Sequence, residues 1–313
     1  MRGFWSLLSE TFNEWLEDKA QRLGAALAYY AAFSIAPLLV LLVGVAGYFY
    51  KEDTLGHVQS QIALMAGHNA AEAFVAMMRG AGNSSAGFAP TAVSIVTLIL
   101  GATGMFGQLQ DAMNTIWEVT PKPRRLWADI LRTRLLSFSL VLAICFLLLI
   151  SLALSAFLAN VSKYFQQLLP FTASVWPIVD FGFSFVVTTL LFAAIFKILP
   201  DVDIAWQDVW LGAAATAALF ALGKIAIGFY LDRSSFTSAY GAAGSLLALL
   251  AWVYYSSQIL FFGAEFTFVY TRQYKRRLRP ARGAVLLSET ARIHQGIPHT
   301  AVVDEEIKKR RIA

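Results

Sequence analysis

The sequence predicts an all-α fold, namely a polytopic membrane protein with six transmembrane helices, an N-terminal amphipathic interfacial helix and both termini in the cytoplasm. Long apolar runs, a low charge content and an uneven distribution of basic residues indicate this fold. The chain is 58% hydrophobic and 14% charged, whereas soluble domains carry about 25% charged residues. Trp176–Leu199 contains only two ionisable side chains. A run of that length crosses a bilayer as a helix, because hydrocarbon offers backbone polar groups no other partner.

The apolar runs divide the chain into three parts. Residues 1–22 form the interfacial helix, residues 23–272 the transmembrane domain, and residues 273–313 a basic, mostly disordered cytoplasmic tail. The second span is the shortest, and its helix has room to run on to Trp117. The extracytoplasmic loop 52–88 is either a lid over the outer mouth or a packed connector. The predicted spans are Gly24–Tyr50, Pro90–Phe106, Leu135–Ala159, Trp176–Leu199, Val209–Leu231 and Ala242–Tyr270.

Basic residues decide the orientation, since the cytoplasmic loops of membrane proteins carry an excess of Lys and Arg. With six spans, both termini and the second and fourth loops lie on the same side of the membrane. Together with Lys197 at the inner end of the fourth span, these segments hold 20 of the 25 basic residues, and the opposite loops hold four. The excess predicts a bacterial inner-membrane protein with cytoplasmic termini, whose basic side contacts anionic lipid.

The first residues show a helical period in which apolar and acidic positions fall on opposite faces. The pattern predicts an amphipathic helix that lies at the membrane interface before the first span. Its acidic face is expected to pack against the basic loop that contains Lys122, Arg124 and Arg125. The apolar positions are Phe4, Leu8, Phe12, Trp15 and Leu16, and the acidic ones are Glu10, Glu14, Glu17 and Asp18.

Small residues recur at every fourth position of the first span, at Gly24, Ala28, Ala32 and Ala36. Such a stripe lets a second helix approach closely. Pro37 follows the stripe and is expected to kink the helix, because proline removes an i−4 hydrogen bond. The stripe therefore predicts close helix packing, either within the chain or as a docking face for a partner.

Four charged residues fall inside predicted spans, where each charge costs about 2.5–3.5 kcal/mol and is a functional hypothesis by default. At about 1.5 Å per helical residue, Lys224 lies in the outer half of the membrane and Glu265 in the inner half. Depth therefore predicts an outer pair of Asp180 with Lys224 and an inner pair of Lys197 with Glu265. The alternative is that both lysines extend to the interfaces. The cavity between the pairs is predicted to be lined by Tyr254 and Gln258.

Four segments closely resemble the BrkB/YihY family of bacterial inner-membrane proteins. They are GAALAYYAAFSIAPLL (24–39), GQLQDAMNTIWEV (107–119), FKILPDVDI (196–204) and YGAAGSLLALLAWVYYSSQILFFGAEF (240–266). The resemblance implies six helices, cytoplasmic termini and an envelope role, since members have been linked to serum resistance as virulence factors and proposed as lipid or small-molecule transporters. The positions that match its motifs are Tyr29, Tyr30, Pro37, Asp111, Asn114, Trp117, Pro200, Asp201, Tyr240, Gly241, Gly244, Gln258, Gly263 and Glu265.

Members of this family were long labelled ribonuclease BN, so a nuclease is an alternative reading. A nuclease needs clustered carboxylates or histidines that hold a metal ion near a phosphate. The histidines fall in the outer loop and the tail, and Asp201, Asp203 and Asp208 lie together without a histidine or a phosphate-binding glycine loop. The sequence therefore predicts no enzyme activity, no catalytic residue, no metal site, no cofactor and no nucleic-acid partner.

Three functions remain open. The first is a transporter or flippase for a lipid or other amphiphile, in which closely packed helices slide past one another. The second is a structural or assembly partner, as a homo-oligomer or with another envelope protein, in which the small-residue stripes are docking faces. The third is a small-solute or ion-coupled carrier in which Glu265 titrates.

Overall fold

The structure, a computed structural model, describes residues 2–49, 88–122, 176–233, 242–273, 279–281 and 283–304. This part of the chain is mostly helical and also contains four short strands. The helices are α1 (Arg2–Glu17), α2 (Ala20–Phe49), α3 (Phe88–Ile116), α4 (Trp176–Ile198), α5 (Trp206–Arg233), α6 (Ala242–Gln273) and α7 (Glu289–Gln295). The strands are β1 (Val119–Pro121), β2 (Val202–Asp203), β3 (Arg279–Pro280) and β4 (Ala284–Leu286).

Helices α2 to α6 coincide with five of the predicted membrane spans. The structure confirms that the second of these runs continues as a helix beyond Phe106, to Ile116, and α2 remains helical through Pro37. The predicted span Leu135–Ala159 and loop residues 52–87 lie outside the described residues. Among the described residues, three helical stretches are long and apolar enough to cross a membrane, namely Phe181–Ile198, Trp206–Phe229 and Leu247–Gln273.

The predicted N-terminal helix is present as α1, and its acidic side faces inward. Glu14, and Asp18 directly after the helix, are buried. These carboxylates pair with Arg272 and Arg292, whereas residues 124 and 125 of the basic loop expected to pair with them lie outside the described residues. Three apolar side chains of α1 are exposed instead, and the placement of this helix at a membrane interface stays a prediction. The three are Trp5, Phe12 and Leu16.

The prediction of a disordered C-terminal tail is wrong for residues 279–281 and 283–304. β4 pairs antiparallel with β1, and β3 pairs antiparallel with β2. The side chains of Arg292 and Ile297 are almost fully buried. The segment is ordered because its backbone completes two short ladders and its buried side chains pack against the rest of the chain. The all-α prediction therefore misses two small β-ribbons.

α7 is a short helix with a local signal at each end. The hydroxyl oxygen of Ser288 accepts a hydrogen bond from the backbone N–H of Ala291 at 3.3 Å, which makes Ser288 an N-cap. Gly296 ends the helix in the left-handed conformation, with φ of 72°. The N–H of Ile297 then donates to the carbonyl of Arg292 at 2.9 Å, as in a Schellman motif. These caps hold Arg292 on a helix that is otherwise too short to be stable by itself.

By its internal packing the chain divides into two compact units, residues 1–18, 113–221 and 262–313 in the first, and residues 19–112 and 222–261 in the second. In the second unit a Cβ atom added to Gly24 of α2 would lie 2.0 Å from Nε2 of Gln258. A Cβ atom at Gly101 of α3 would lie 3.0 Å from the Cα atom of Ser34. Both glycines therefore allow close approach, against α6 and α2 respectively.

In the first unit α5 and α6 pack through two reciprocal glycine–threonine contacts. A Cβ atom at Gly212 would lie 1.8 Å from Oγ1 of Thr267, and one at Gly263 would lie 1.9 Å from Oγ1 of Thr216. Each hydroxyl donates to the carbonyl of the glycine four residues earlier on its own helix, at 2.6 Å from Thr216 and 2.7 Å from Thr267. We call these four residues the Gly/Thr seam. Its polar side-chain atoms are satisfied, and only glycine fits opposite each threonine.

Candidate functional site

The most unusual group of the first unit is the carboxylate of Glu265 on α6. Its side chain is 0% exposed, and neither carboxylate oxygen has a hydrogen-bond partner among the residues that the structure describes. The charges that act on it come from Asp18, Glu14 and Glu118, which are acidic, and from Arg292, which is basic. We call Glu14, Asp18, Glu118 and Glu265 the carboxylate cluster. A buried carboxyl group without donors is costly, so this arrangement is not explained by stability.

Asp18 and Arg292 form a buried ion pair beside Glu265. Their side chains are 3% and 1% exposed, and Nη2 of Arg292 donates to Oδ1 of Asp18 at 2.7 Å. Nη1 of Arg292 lies 3.8 Å from Oε1 of Glu118. Burial raises the pKa of Asp18 to about 6, and Glu14 and Glu118 act in the same direction, although Arg292 opposes them. One arginine therefore does not compensate the carboxylates that surround it.

Arg272, on α6, forms ion pairs on the more exposed side of the site. Its Nη2 lies 2.6 Å from Oε1 of Glu10 and 2.5 Å from Oε1 of Glu14. Gln273 also donates to Glu10, at 3.0 Å. Partial burial raises the pKa of Glu10, but the hydrogen bonds from Arg272 and Gln273 outweigh it, and the net pKa is lowered. Glu10 is therefore ionised and belongs to a solvent-facing ion pair.

His299 bridges two carboxylates at the edge of the site. Its Nδ1 lies 2.5 Å from Oε2 of Glu289, and its Nε2 lies 3.0 Å from Oε1 of Glu118. Partial burial lowers the pKa of His299, but the hydrogen bonds to both carboxylates outweigh this effect, so its pKa is raised. Ligand atoms of Glu14, Glu17 and His299 also lie within 4.8 Å of one another. Because both ring nitrogens already contact carboxylates, an imidazolium ion explains the geometry without a metal.

The turn after α3 places Glu118 in the cluster. Glu118 has a φ of 51°, in the left-handed region that a non-glycine residue adopts rarely. The preceding residue, Trp117, is fully buried with its ring edge against Phe268, at 5.8 Å between centroids. The carbonyl of Glu118 accepts the N–H of Leu287 at 2.7 Å. Packing on one side and the C-terminal segment on the other hold this strained residue in place.

Asn114 fixes the loop between α4 and α5. Its Nδ2 donates to Oδ2 of Asp201 at 3.0 Å, and its Oδ1 accepts the backbone N–H of Asp201 at 2.8 Å. The carbonyl of Asp201 accepts the N–H of Ala281 at 3.0 Å. Asp201, one of the three clustered aspartates weighed for a nuclease, therefore joins α3, the loop and the C-terminal segment.

The predicted pair of Lys197 with Glu265 is wrong. Nζ of Lys197 donates to the carbonyl of Ile204, and Glu265 has no hydrogen-bond partner. The helix end turns back through residues 199–204, so the carbonyl of this loop is closer to the ammonium group than α6 is. Lys224 is exposed, and the side chain of Asp180 lies outside the described side chains, so the outer pair stays a prediction.

The two polar residues predicted to line a cavity lie in the second unit, on α6. Tyr254 is 36% exposed. Nε2 of Gln258 donates to the carbonyl of Ala20 at 3.5 Å, whereas its buried Oε1 has no partner. Gln258 also packs over Gly24, so it lies where α2 and α6 approach closely.

The positions singled out by the family motifs fall into different environments. Tyr29 and Tyr30 are exposed, at 58% and 39%, and pack edge to face, with ring centroids 5.7 Å apart. Asp111 is exposed, whereas Pro200 is buried. Asn114, Trp117, Asp201, Gly263 and Glu265 take the structural positions given above. Gly244 lies near the start of α6, and Tyr240 and Gly241 are outside the described residues.

Three members of the site were not selected from the sequence. Glu118 is the next-to-last residue of a matched motif but lacks any periodic signal of burial. Arg292 and His299 fall in the segment predicted to be disordered. A signal was present in the Ser288 and Gly296 caps around Arg292, which mark a short helix.

Comparison with known proteins gives the family. The chain matches the family described as Virulence factor BrkB over residues 11–285. A UPF0761 membrane protein of Glaesserella parasuis is 27% identical over 183 residues, or 56% of this chain and 60% of that protein. UPF0761 membrane protein RSc1559 of Ralstonia nicotianae is 28% identical over 215 residues, or 65% of this chain and 47% of that protein.

A third relative, YfkH of Bacillus subtilis, carries a name that calls it ribonuclease-like and is 23% identical over 266 residues. This alignment covers 83% of the chain and 93% of YfkH. No solved structure matches the chain. The chain spans 60% and 47% of the length of the first two relatives.

The family match covers most of the sequence, and the structure adds three helices able to cross a membrane. The chain is therefore a membrane protein that belongs to the Virulence factor BrkB family.

Proposed function

We propose that this protein is a transporter that moves a lipid or another amphiphile across the bacterial inner membrane. The observation that carries the proposal is Glu265, a fully buried carboxyl group on a helix able to span a membrane. No hydrogen-bond partner for it is present in the part of the chain that the structure describes. Such groups are costly in a membrane helix, and they mark substrate paths or proton relays by default. A protein with a purely structural role has no physical reason to keep this one.

The arrangement in the membrane is part of the proposal. Six spans with both termini in the cytoplasm follow from the apolar runs and from the excess of basic residues in the loops on that side. In this orientation the carboxylate cluster lies toward the cytoplasm. The basic segments on the same side contact anionic lipid headgroups.

An assembly partner without transport activity is the alternative. It depends on the stripe of small residues in α2 as a docking face for another protein. In the second unit, however, Gly24 is covered by Gln258 of α6, and Ala28 is 4% exposed. These two positions of the stripe are already used within the chain. This observation favours the transporter over the assembly partner.

We propose no nuclease activity, although the name of one relative mentions a ribonuclease. Asp201 makes two hydrogen bonds with Asn114, which commits this carboxylate to structure. Asp203 is exposed on β2. The geometry of the loop is explained by its role in holding α3 to the C-terminal segment.

The test is lipid movement by the purified full-length protein. The protein is reconstituted in vesicles of phosphatidylethanolamine and phosphatidylglycerol that carry a fluorescent phosphatidylglycerol. Quenching of the outer leaflet then measures movement between leaflets. The wild type, Glu265→Gln and Asp203→Asn are compared at equal protein content. Asp203→Asn is the matched control, because it removes an exposed carboxylate away from the cluster.

We expect movement with the wild type and the Asp203→Asn control and a large loss with Glu265→Gln. Folding of each variant is checked by gel filtration and helical circular dichroism before reconstitution. Folded wild-type protein that moves neither anionic nor zwitterionic labelled lipid would contradict the proposal and favour the assembly partner.

A further inference from the structure

We propose that Glu265 is a proton-binding site that couples proton uptake to transport. Its carboxylate takes one proton from the aqueous phase to form a neutral carboxylic acid, and releases that proton in a later conformation. The inference rests on the proposed function for its role in transport. The protonation of Glu265 in the structure described here stands on the geometry alone.

The first step is the hydrogen-bond environment of Glu265. Its carboxylate is fully buried and accepts no hydrogen bond from any residue in the described part of the chain. An ionised carboxylate in a protein interior requires donors or a cation, because it has lost the stabilisation that water provides. A protonated carboxyl group is neutral, so its burial costs far less. The geometry therefore favours the protonated form.

The second step is the charge around Glu265. Among the described residues, the strongest electrostatic influences on it come from the carboxyl groups of Asp18, Glu14 and Glu118 and from the guanidinium group of Arg292. Arg292 is already paired with Asp18 at 2.7 Å. Several carboxyl groups that are buried close together cannot all be ionised, because their negative charges repel one another in a medium of low polarity. Within the described ranges Glu265 is the member of the carboxylate cluster without an ion-pair partner, so we infer that it holds the proton.

The third step is a route for the proton. Asp18 interacts electrostatically with Glu265, and burial raises its pKa to about 6. Glu14 is the next carboxylate, and it reaches the partly exposed Arg272 and Glu10 through their shared ion pair. The proposed route thus runs from the solvent-facing Glu10, which lies outside the cluster, through Glu14 and Asp18 to the buried Glu265. Protonation of Asp18 would also weaken its pair with Arg292 and free that cation to pair with an ionised Glu265.

The direct test is infrared spectroscopy of the full-length protein in lipid nanodiscs. A protonated carboxyl group gives a C=O stretching band that an ionised one lacks. At pH values above neutral, where Asp18 is ionised, we expect a band in the wild type and in Asp18→Asn. We expect its loss in Glu265→Gln. If Glu265→Gln does not fold, wild-type protein grown with isotope-labelled glutamate replaces it, and a shift of the band assigns it to glutamate.

Absence of the band in the wild type, or its persistence unchanged in Glu265→Gln, would overturn the proton site. A metal cation could occupy the same carboxylates. The spectra are therefore repeated with a chelator and with added Mg²⁺ or Mn²⁺. A band that appears only after chelation would show a metal-bound Glu265 and would also overturn the proposal. A band that is unaffected by either treatment supports it.

The coupling is tested separately in the vesicles described above. A pH difference across the membrane is expected to change the rate of lipid movement by the wild type, and to leave the residual rate of Glu265→Gln unchanged. Movement that is insensitive to the pH difference would overturn the coupling while leaving lipid transport in place. Absence of movement in every protein would instead overturn the proposed function and the coupling, and the infrared band would still decide the protonation of Glu265.

Discussion

The Gly/Thr seam and the carboxylate cluster meet within five consecutive residues of α6, from Gly263 to Thr267. The two regions differ in whether their buried polar atoms form hydrogen bonds. Gly263 and Thr267 belong to the Gly/Thr seam, in which each threonine hydroxyl donates to a carbonyl of its own helix. Glu265 lies between them in sequence, and both of its oxygens are unpartnered. A satisfied interface is stable in one arrangement. A buried carboxyl group without such partners has an energy that depends on whether it is protonated and on the position of its neighbours, which is a property that the proposed transport requires.

The two regions also differ in what surrounds them. The seam is formed by two adjacent helices, whose sequences both read Gly-Ala-x-x-Thr, at residues 212–216 and 263–267. The carboxylate cluster is assembled from α1, the turn after α3, α6 and, through Arg292, α7. Substitutions in the seam should therefore change packing alone, whereas substitutions in the cluster should change stability in a way that depends on pH.

The largest effect is expected for Arg292→Met. Arg292 is the buried partner of Asp18, and its removal leaves a buried charge that is not compensated, at a cost of about 3–5 kcal/mol near neutral pH. Thermal unfolding in detergent, followed by circular dichroism, measures the loss. The control is His294→Gln, at an exposed position of the same helix. Asp18→Asn combined with Arg292→Met should recover part of the loss. Equal stability of Arg292→Met and the control would exclude the buried pair.

The next effect is expected for alanine in the seam. Gly212→Ala and Gly263→Ala place a Cβ atom 1.8 and 1.9 Å from a threonine hydroxyl. Threonine is stiff at χ1, so the helices must move apart, at a cost of about 1–3 kcal/mol that does not depend on pH. Gly228→Ala is the matched control on α5, because a Cβ atom there meets nothing within 4 Å. A seam variant as stable as this control would contradict the close approach.

The cluster should show a smaller effect that depends on pH, through His299. The charged imidazole is stabilised by Glu118 and Glu289, and its pKa in the folded state is raised. The folded state therefore binds the proton more tightly than the unfolded state. Its contribution is complete below pH of about 6.5 and is lost as the pH rises through the raised pKa.

Melting temperatures measured from neutral to alkaline pH should fall for the wild type and stay flatter for His299→Gln. The pKa of Asp18 is also raised, from 3.8 to about 6, so Asp18 also makes the protein less stable as the pH rises. This loss occurs between pH 3.8 and about 6, which is below the pH range in which His299 loses its proton. If the melting temperature changes with pH equally for the wild type and His299→Gln above neutral pH, the imidazole of His299 between Glu118 and Glu289 is not charged.

The smallest effect is expected for Glu10→Gln. Glu10 and Arg272 are 37% and 40% exposed, and water screens such pairs, so the change in unfolding free energy is about 0–1 kcal/mol. Glu14→Gln removes the other, 11% exposed carboxylate that binds the same arginine. Raising the salt concentration should remove any effect of Glu10→Gln but not that of Glu14→Gln. The opposite order would contradict the placement of Glu14 inside the cluster.

Some residues of the site could be found from the sequence and others could not. Glu265 is conspicuous because a single carboxylate interrupts an apolar run, and depth along the helix is enough to mark it. Its partner was predicted as Lys197, because both fall at the same predicted depth. That reasoning failed because a short loop brings the carbonyl of Ile204 to the ammonium group. Depth gives the layer in which a side chain lies but not the direction in which it points.

The sequence by itself determined the membrane class, the approximate positions of α2 to α6 and the close helix approach at Gly24. These properties are local, since they depend on run length, composition and the helical period of neighbouring residues. Only the tertiary structure decided which charges meet. Asp18 and Arg292 are separated by most of the chain, and Glu118 and His299 come from a turn and from a segment predicted to be disordered. Electrostatic energy depends on distance in space and on burial, and neither follows from spacing along the chain.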